Sequence, residues 1–322
     1  MKMFARMWCG LLLLALGGTV FAQDYPNRPI KLVVPWPPGQ STDLLARVVA
    51  ERISQFLGQP VVVDNRAGAG GLIGSDIVAK SPPDGYTLLA ASSGPISIMP
   101  ALQKTPYDPI KSFAPVALAG GNPYLLVASS SFPAATAKEL IEMIKANPNK
   151  YAFSSSGTGA TSHLVSEHFN SQAGIAPTHV PYKGSSPSLT DVMTGQVTYT
   201  FETSAAVLPL LKSGRLKAYG VSSARRAITM PEVPPIAESA DLPGFDIGAW
   251  GGYMAPAGTP HEIVAKISAA IQKALQEPAT RDRLIQIGLD VEYRSPDQFA
   301  AFLAKEYVRY ADIAKRANIR LD

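Results

Sequence analysis

The sequence predicts an α/β fold in two lobes, each built on a parallel sheet with helices on both faces. Three observations predict it. The chain has 322 residues, more than one hydrophobic core usually supports. Short β-branched runs alternate with amphipathic helical stretches, the signature of parallel strands joined by helices. The alternation then restarts near Leu125, as a second unit would. With 46% hydrophobic and 17% charged residues, the composition is that of a globular chain, not a disordered one.

The first residues read as a secretory leader. Lys2 and Arg6 supply a positive start, residues 11–20 a short apolar run, and Val20-Phe21-Ala22 a small-residue cleavage site. Residues 1–22 are therefore expected to be a signal peptide cut after Ala22, which implies a secreted product. A membrane anchor is the other reading, but the run is short and meets Gly17-Gly18. No other apolar run is long enough to span a bilayer. Met7-Trp8 before Cys9 does not form a lipobox. Cys9 is the only cysteine, so the mature chain is expected to have neither disulfide nor thiol chemistry. Removing Lys2 and Arg6 from the 29 basic residues leaves 27 against 25 acidic ones. No basic run follows a nucleic-acid backbone, so that partner is not expected.

The elements follow in order. Residues 30–34 form a strand candidate, then 42–57 a helix with Leu45, Val49, Ile53 and Phe56 on one face and Gly58 as its stop. Strands are expected at 61–63 and 86–90. In the second half come a strand at 125–128 and a helix opened by Thr136 with Glu139 as a capping box. Then come strand 151–154, helix 162–169, strand 178–181 and helix 186–193, with Pro187 in its first position. Strand 197–201, helix 205–211 and strand 216–221 complete this half. Residues 230–244, rich in proline and acid, read as a loop. Thr259-Pro260-His261-Glu262 opens a long helix through Ile263, Ile267, Ile271 and Leu275. Ser295-Pro296-Asp297-Gln298 opens the last, with Phe299, Phe302, Leu303, Tyr310 and Ile313 inward.

Three strand-to-helix junctions are crowded with Gly, Ser and Thr: residues 35–43, 154–162 and 181–186. The first turn of a helix has N–H groups without intrahelical partners and a positive dipole end. Small residues let a carboxylate or phosphate reach those groups, and in parallel sheets such junctions lie where ligands bind. The same composition also suits ordinary caps and turns. Junctions of this kind in both halves make a shared anion cleft one of two open readings.

Other chemistry is poorly supported. Residues 68–74 are glycine-rich, but their spacing does not match a dinucleotide loop; a close-packed helix start fits better. His163 and His168, five apart, do not share a helix face as an i,i+4 metal pair does, so no metal site is expected. His163 could donate to a ligand or be a surface histidine at a helix start. No G-x-S-x-G elbow occurs and no serine has an evident base, so no catalytic residues and no cofactor are expected.

Several stretches resemble the tripartite tricarboxylate transporter substrate-binding proteins, the Bug family. They are Tyr25-Pro26-Asn27-Arg28-Pro29-Ile30, Pro35-Trp36-Pro37-Pro38-Gly39 through Asp43, and Asp64-Asn65-Arg66-Ala67-Gly68-Ala69-Gly70-Gly71. Then come Pro83-Asp84-Gly85-Tyr86-Thr87-Leu88, Ser156-Gly157-Thr158-Gly159 to His163-Leu164, His179-Val180-Pro181-Tyr182-Lys183-Gly184, and Ala255-Pro256-Ala257-Gly258-Thr259-Pro260. The resemblance spans essentially the whole mature chain. It implies a type II periplasmic-binding-protein fold: lobe 1 from 23–124 and 246–322, lobe 2 from 125–245, crossings near Tyr124 and Phe245, and C-terminal helices returning to lobe 1. It also implies a ligand carboxylate held by Pro38, Gly39, Thr42 and Asp43 in one lobe. Ser156, Gly157, Thr158, Gly159, Thr161 and Ser162 are the counterparts in the other.

Two departures from the family pattern add candidates. Trp36 and Gln40-Ser41 stand where Phe and Gly-Gly are common, so Trp36 and Gln40 could read the ligand body; Trp36 could equally pack inside its lobe. Phe201-Glu202 stands where Phe-Asp is common. Glu202 could accept from a ligand amine or hydroxyl, or cap the next helix, and an ionised Glu202 would disfavour a second ligand carboxylate. Tyr182, in the third junction, completes the candidate set. The implied function is periplasmic capture of a small organic carboxylate (a di- or tricarboxylate, aromatic acid or amino acid). A monomer would deliver it to the membrane subunits of a tripartite transporter. The alternative is a sensor presenting the acid to a two-component receptor.

Overall fold

The computed structural model describes residues 25–317 and 319; the expected leader lies outside them. In the first half, β1 (Ile30–Val34) is flanked in parallel by β2 (Val61–Asn65) and β3 (Thr87–Ser92). Between β1 and β2 runs α1 (Ser41–Leu57), stopped by Gly58 in the left-handed conformation, where glycine carries no Cβ penalty. The glycine-rich stretch after β2 makes a tight turn and then α2 (Leu72–Ala79). A Cβ on Gly74 would lie 2.7 Å from the Arg66 carbonyl and 2.8 Å from Pro35 Cα, so this is the close-packed helix start the spacing suggested. A turn at Gly94–Ile98 leads into α3 (Met99–Leu102).

One long strand, β4 (Phe113–Ser129), joins the two halves. Sequence pattern finds only its last third, because Pro115, Gly120, Gly121 and Pro123 interrupt the β-branched run. They are accommodated by register shifts against β9 (Gly248–Pro256), the antiparallel return strand. A Cβ on Gly120 would sit 2.4 Å from the Asp290 carbonyl of the neighbouring strand 290–294, so β4 needs glycine there.

The second half contains α4 (Ala137–Ala146), β5 (Ala152–Ser155), α5 (Thr161–Ala173), β6 (Thr178–Pro181), α6 (Ser185–Thr194) and β7 (Tyr199–Thr203). Then follow α7 (Ser204–Lys212), β8 (Leu216–Val221) and the short α8 (Ile236–Ser239) within the loop expected at 230–244. β5 pairs in parallel with β6 and β7. β7 and β8 both run antiparallel to the second part of β4. The sheets are therefore mixed, with parallel cores and antiparallel pairing along β4 and β9. Helix α6 begins two residues before Pro187, which occupies its third position rather than its first. Thr136 does cap α4, accepting from Glu139 N at 3.1 Å, but the Glu139 carboxylate accepts from Ala135 N.

After β9 come α9 (His261–Gln276), α10 (Pro278–Gln286), β10 (Asp290–Arg294) and α11 (Pro296–Arg316). Helix α11 serves both halves. Phe299 and Leu303 join Trp250 in a core on the first sheet, whereas Tyr310, Ile313 and Ala314 join the core under α5 with Phe169 and Phe245. Ile98 and Leu102, from the first half, belong to that second core too. Each sheet is covered on both faces: α1 and α9 against α2 and α11 in the first half, α5 against α6 and α7 in the second.

Register fixes how the halves oppose each other. β3 runs in the direction of β4, with Ser92 level with Gly251 and, through β9, with Gly120. β7 runs against β4, with Thr203 level with Tyr124. The carboxyl ends of β3 and β7 thus point toward each other along β4. Four residues of strand, about 13 Å, separate their levels. β1 and β2 share the direction of β3, and β5 and β6 that of β7, so the junctions of both halves open onto this gap.

Candidate ligand-binding cleft

Four helices begin at the opposed strand ends: α1 from the first half and α5, α6 and α7 from the second. Their N-cap residues, Gln40, Ala160, Gly184 and Thr203, make no side-chain bond to the first turn. Away from the gap the starts are mixed: Thr136 caps α4 and Ser295 closes a full capping box on α11, whereas α9 and α10 have no side-chain cap. The opposed first turns therefore keep their N–H groups available to an anion.

The first junction is shaped by Asp43, which is 1% exposed. Its carboxylate accepts from Gly39 N at 2.8 Å, Arg47 Nε at 3.0 Å and Asn65 Nδ2 at 2.8 Å. Asn65 also donates to the Trp36 carbonyl at 3.0 Å and accepts from Arg47 Nη2 at 2.9 Å. Burial alone would raise the Asp43 pKa, but the bonds from Arg47, Gly39 and Asn65 outweigh it and hold the carboxyl below its ordinary value. Asp43 is thus spent inside the loop. Trp36 donates from Nε1 to Ser92 Oγ at 2.8 Å and packs against Gly94 and the first-half core. Pro38, Gly39 and Gln40 remain exposed at the tip, and Thr42 is half-buried.

The second junction is held from beneath. Ser162, fully buried, accepts from Ser156 N at 2.9 Å and pairs with Ser156 Oγ at 2.9 Å. Gly159 N donates to His163 Nδ1 at 3.1 Å, and His163 Nε2 lies 3.6 Å from Glu167. His163 is therefore neither a surface histidine nor free for a ligand. Its ring stacks on His179 at 3.9 Å, and His179 stacks on Phe153 and bonds Ser155 Oγ through Nε2 at 2.7 Å. Burial, then the His163 ring, pushes His179 down to about 4, so the His179 ring is uncharged at neutral pH. Above it Thr158 is exposed, Ser156, Gly157 and Thr161 are half-buried, and Gly159 is buried. In the third junction Tyr182 donates to Asp191 Oδ2 at 2.5 Å, within its own lobe.

Glu202 is 2% exposed. Its Oε2 accepts from Ser185 Oγ at 2.9 Å and from Thr203 N at 3.3 Å, while Oε1 has no hydrogen-bond partner among the described residues. Burial pushes the carboxyl up to about 7, against the two hydrogen bonds. The candidates thus divide. Pro38, Gly39, Gln40, Thr42, Ser156, Gly157, Thr158 and Thr161 stand on the opposed ends. Trp36, Asp43, Gly159, Ser162 and Tyr182 organise them. Sequence reasoning missed Ser92-Ser93-Gly94 at the end of β3, although it carries the same small-residue signal. It also missed Tyr124, beside Thr161 and Glu202, which no local pattern marks.

This fold and these opposed helix starts define a two-lobed periplasmic solute-binding protein. The model of the tripartite tricarboxylate transporter family receptors matches residues 45–319, and the chain belongs to that family. It is 39% identical over 311 residues to Protein BugT of Bordetella pertussis, covering 95% of this chain and 94% of that one. Among solved structures, an R. palustris protein with adipate superposes with a TM-score of 0.80 at 35% identity, over 92% of this chain and 99% of that one. MatC from Rhodopseudomonas palustris with bound malate gives 0.76 at 35% identity, over 90% and 99%. This is a family of binding proteins, not of enzymes.

Proposed function

We propose that the chain captures a small organic carboxylate in the periplasm and delivers it, as a monomer, to the membrane subunits of a tripartite transporter. Lobe 1 (23–124 and 246–322) and lobe 2 (125–245) would close over the ligand by bending at the crossings, and ligand contacts would favour the closed population. The observation that carries this reading is the opposition of uncapped helix starts from both halves across one gap. Two or more such starts converging on one guest suit a carboxylate better than a neutral molecule. Malate and adipate, held by relatives, are the first probes for this chain.

The test is a thermal-shift panel of malate, adipate, citrate, glutamate and nicotinate on the mature protein, followed by calorimetry of the hits. A selective ligand raises the melting temperature by mass action, about 2.7 kcal/mol at 100 times Kd. Thr158→Trp, at an exposed position of the second junction, should abolish binding of the hit while leaving the ligand-free melting temperature unchanged. Unchanged affinity would place the ligand elsewhere.

A further inference from the structure

Two helix starts of the second half meet at one buried acid, and Tyr124 links it to a third. Glu202 lies at the carboxyl end of β7, paired in register with Leu125. Ser185, the first residue of α6, donates to it, as does the backbone of Thr203, the N-cap of α7. Tyr124, its electrostatic neighbour on β4, lies beside Thr161, the first residue of α5. This is where helix dipoles favour an anion, and the chain has placed its own carboxyl there.

Nothing neutralises that carboxyl if it ionises. No lysine, arginine or histidine among the described residues forms an ion pair with Glu202. Lys183, on the loop that carries Ser185, is exposed. On α5 His163 is engaged by Gly159 and Glu167, and on β6 His179 by Ser155. Tyr124 is held protonated by burial. One oxygen of Glu202 accepts from both donors; the other is buried and has no hydrogen-bond partner among the described residues. In the neutral acid that bare oxygen carries the proton, and an O–H donor without an acceptor is what a ligand carboxylate would satisfy.

We propose that Glu202 is a proton-gated subsite, which admits the second carboxylate of a dicarboxylate only as the neutral acid, so that binding draws a proton from solvent. The inference rests on the reading of the cleft as a carboxylate site. The carboxyl's shift to about 7 by burial puts the gate in the physiological range. Near pH 6 the acid is already neutral and no proton is needed. Above pH 7 each captured dianion must bring one, and apparent affinity falls toward tenfold per pH unit.

The experiment is calorimetry of wild type and Glu202→Gln with adipate and malate at pH 6 and pH 8, in phosphate and in Tris. The two buffers differ in ionisation enthalpy, so proton uptake is read directly. For wild type, about tenfold weaker binding and nearly one proton taken up at pH 8 are expected. Glu202→Gln, whose amide donates but does not ionise, should bind equally at both pH values with no proton exchanged. Equal wild-type affinity at both pH values without proton uptake would overturn the gate and leave the carboxylate reading standing. No binding of either acid at either pH would overturn both. A readout without ligand completes the test: the infrared difference between wild type and Glu202→Gln at pH 6 should show a carboxylic-acid band. Its absence also overturns the proposal.

Discussion

Replacing Asp43 with alanine removes three hydrogen bonds from a side chain that is 1% exposed. The bonds from Gly39 N and Asn65 Nδ2 end on a buried carboxylate, and hydrogen bonds to charged groups contribute roughly 1.5–3 kcal/mol each. Arg47 is 49% exposed and can turn to water, so its i,i+4 pair adds only about 0.3–0.5 kcal/mol. The loss comes to roughly 4 kcal/mol. At about 2–4 °C per kcal/mol for a chain of this size, the melting temperature should fall by roughly 8–16 °C. Differential scanning calorimetry at pH 7 measures it. On the proposed reading, affinity for the carboxylate ligand should fall as well, because Gly39 loses the partner that fixes the loop. A direct ligand contact would behave oppositely, losing affinity at constant stability. A melting temperature within about 2 °C of wild type would refute Asp43 as the loop's organiser. The carboxyl is held below its ordinary value. Its contribution is therefore present above the unfolded pKa and lost as pH falls through the folded one, so the gap between wild type and Asp43→Asn should narrow in strong acid.

Three further outcomes follow from buried geometry and can be read by urea denaturation. Gly120→Ala, whose methyl would sit 2.4 Å from the Asp290 carbonyl, should lose about 1–3 kcal/mol by overpacking; wild-type stability would exclude this close approach of β4 and β10. Burial pushes Glu306 up to about 7, so its contribution is full below the unfolded value of 4.5 and lost as pH rises through 7. Between pH 5 and pH 8 the stability difference should shift toward Glu306→Gln by about 2–3 kcal/mol, and a pH-independent difference would contradict it. Burial lowers His168 and His179 to about 4. The stability they support is complete above 6.5 and lost toward pH 4, so His179→Gln should lose less stability than wild type between pH 7 and pH 5.

The local pattern made the helices and inner strands legible. The periods of α1, α9 and α11 and the β-branched runs of β1 and β2 are strong, and glycine or a capping box marks the end of α1 and the start of α11. β4 and β9 were largely illegible because a crossing strand must admit close neighbours. Gly120, Gly251 and Gly252 each face another residue's atoms within 3 Å of a would-be Cβ, and such glycines erase strand periodicity. In the cleft, sequence located the junctions but not the division of labour within them. Asp43, Ser162 and His163 look like ligand groups in one dimension. Only their three-dimensional partners, Asn65, Ser156 and Gly159, show them to be spent on loop shape. Glu202 was visible as a departure from its family's pattern. Its bare oxygen and missing cation depend on four elements meeting, and no window of sequence contains them.

The shared helix α11 limits how the halves can part. Ile98 and Leu102 from the first half pack in one core with Tyr310, Ile313 and the second-half residues Leu164, Phe169 and Phe245. The Tyr310 hydroxyl donates to the Gly248 carbonyl on β9 at 2.8 Å, and Arg309 donates to the Asp246 carbonyl at the crossing. Fully exposing four such side chains costs about 1.5–3 kcal/mol each, roughly 6–12 kcal/mol together. A micromolar ligand supplies about 8 kcal/mol in total. A motion that broke this seam would consume the whole binding energy, and capture would fail. On the proposed reading of two closing lobes, opening would keep α11 packed and bend the crossing strands instead. There the glycines that hid β4 and β9 from sequence, Gly120, Gly121 and Gly248, lie within a few residues of Tyr124 and Phe245. The same positions that spoil the strand pattern are those where the backbone can flex without displacing side chains from either core.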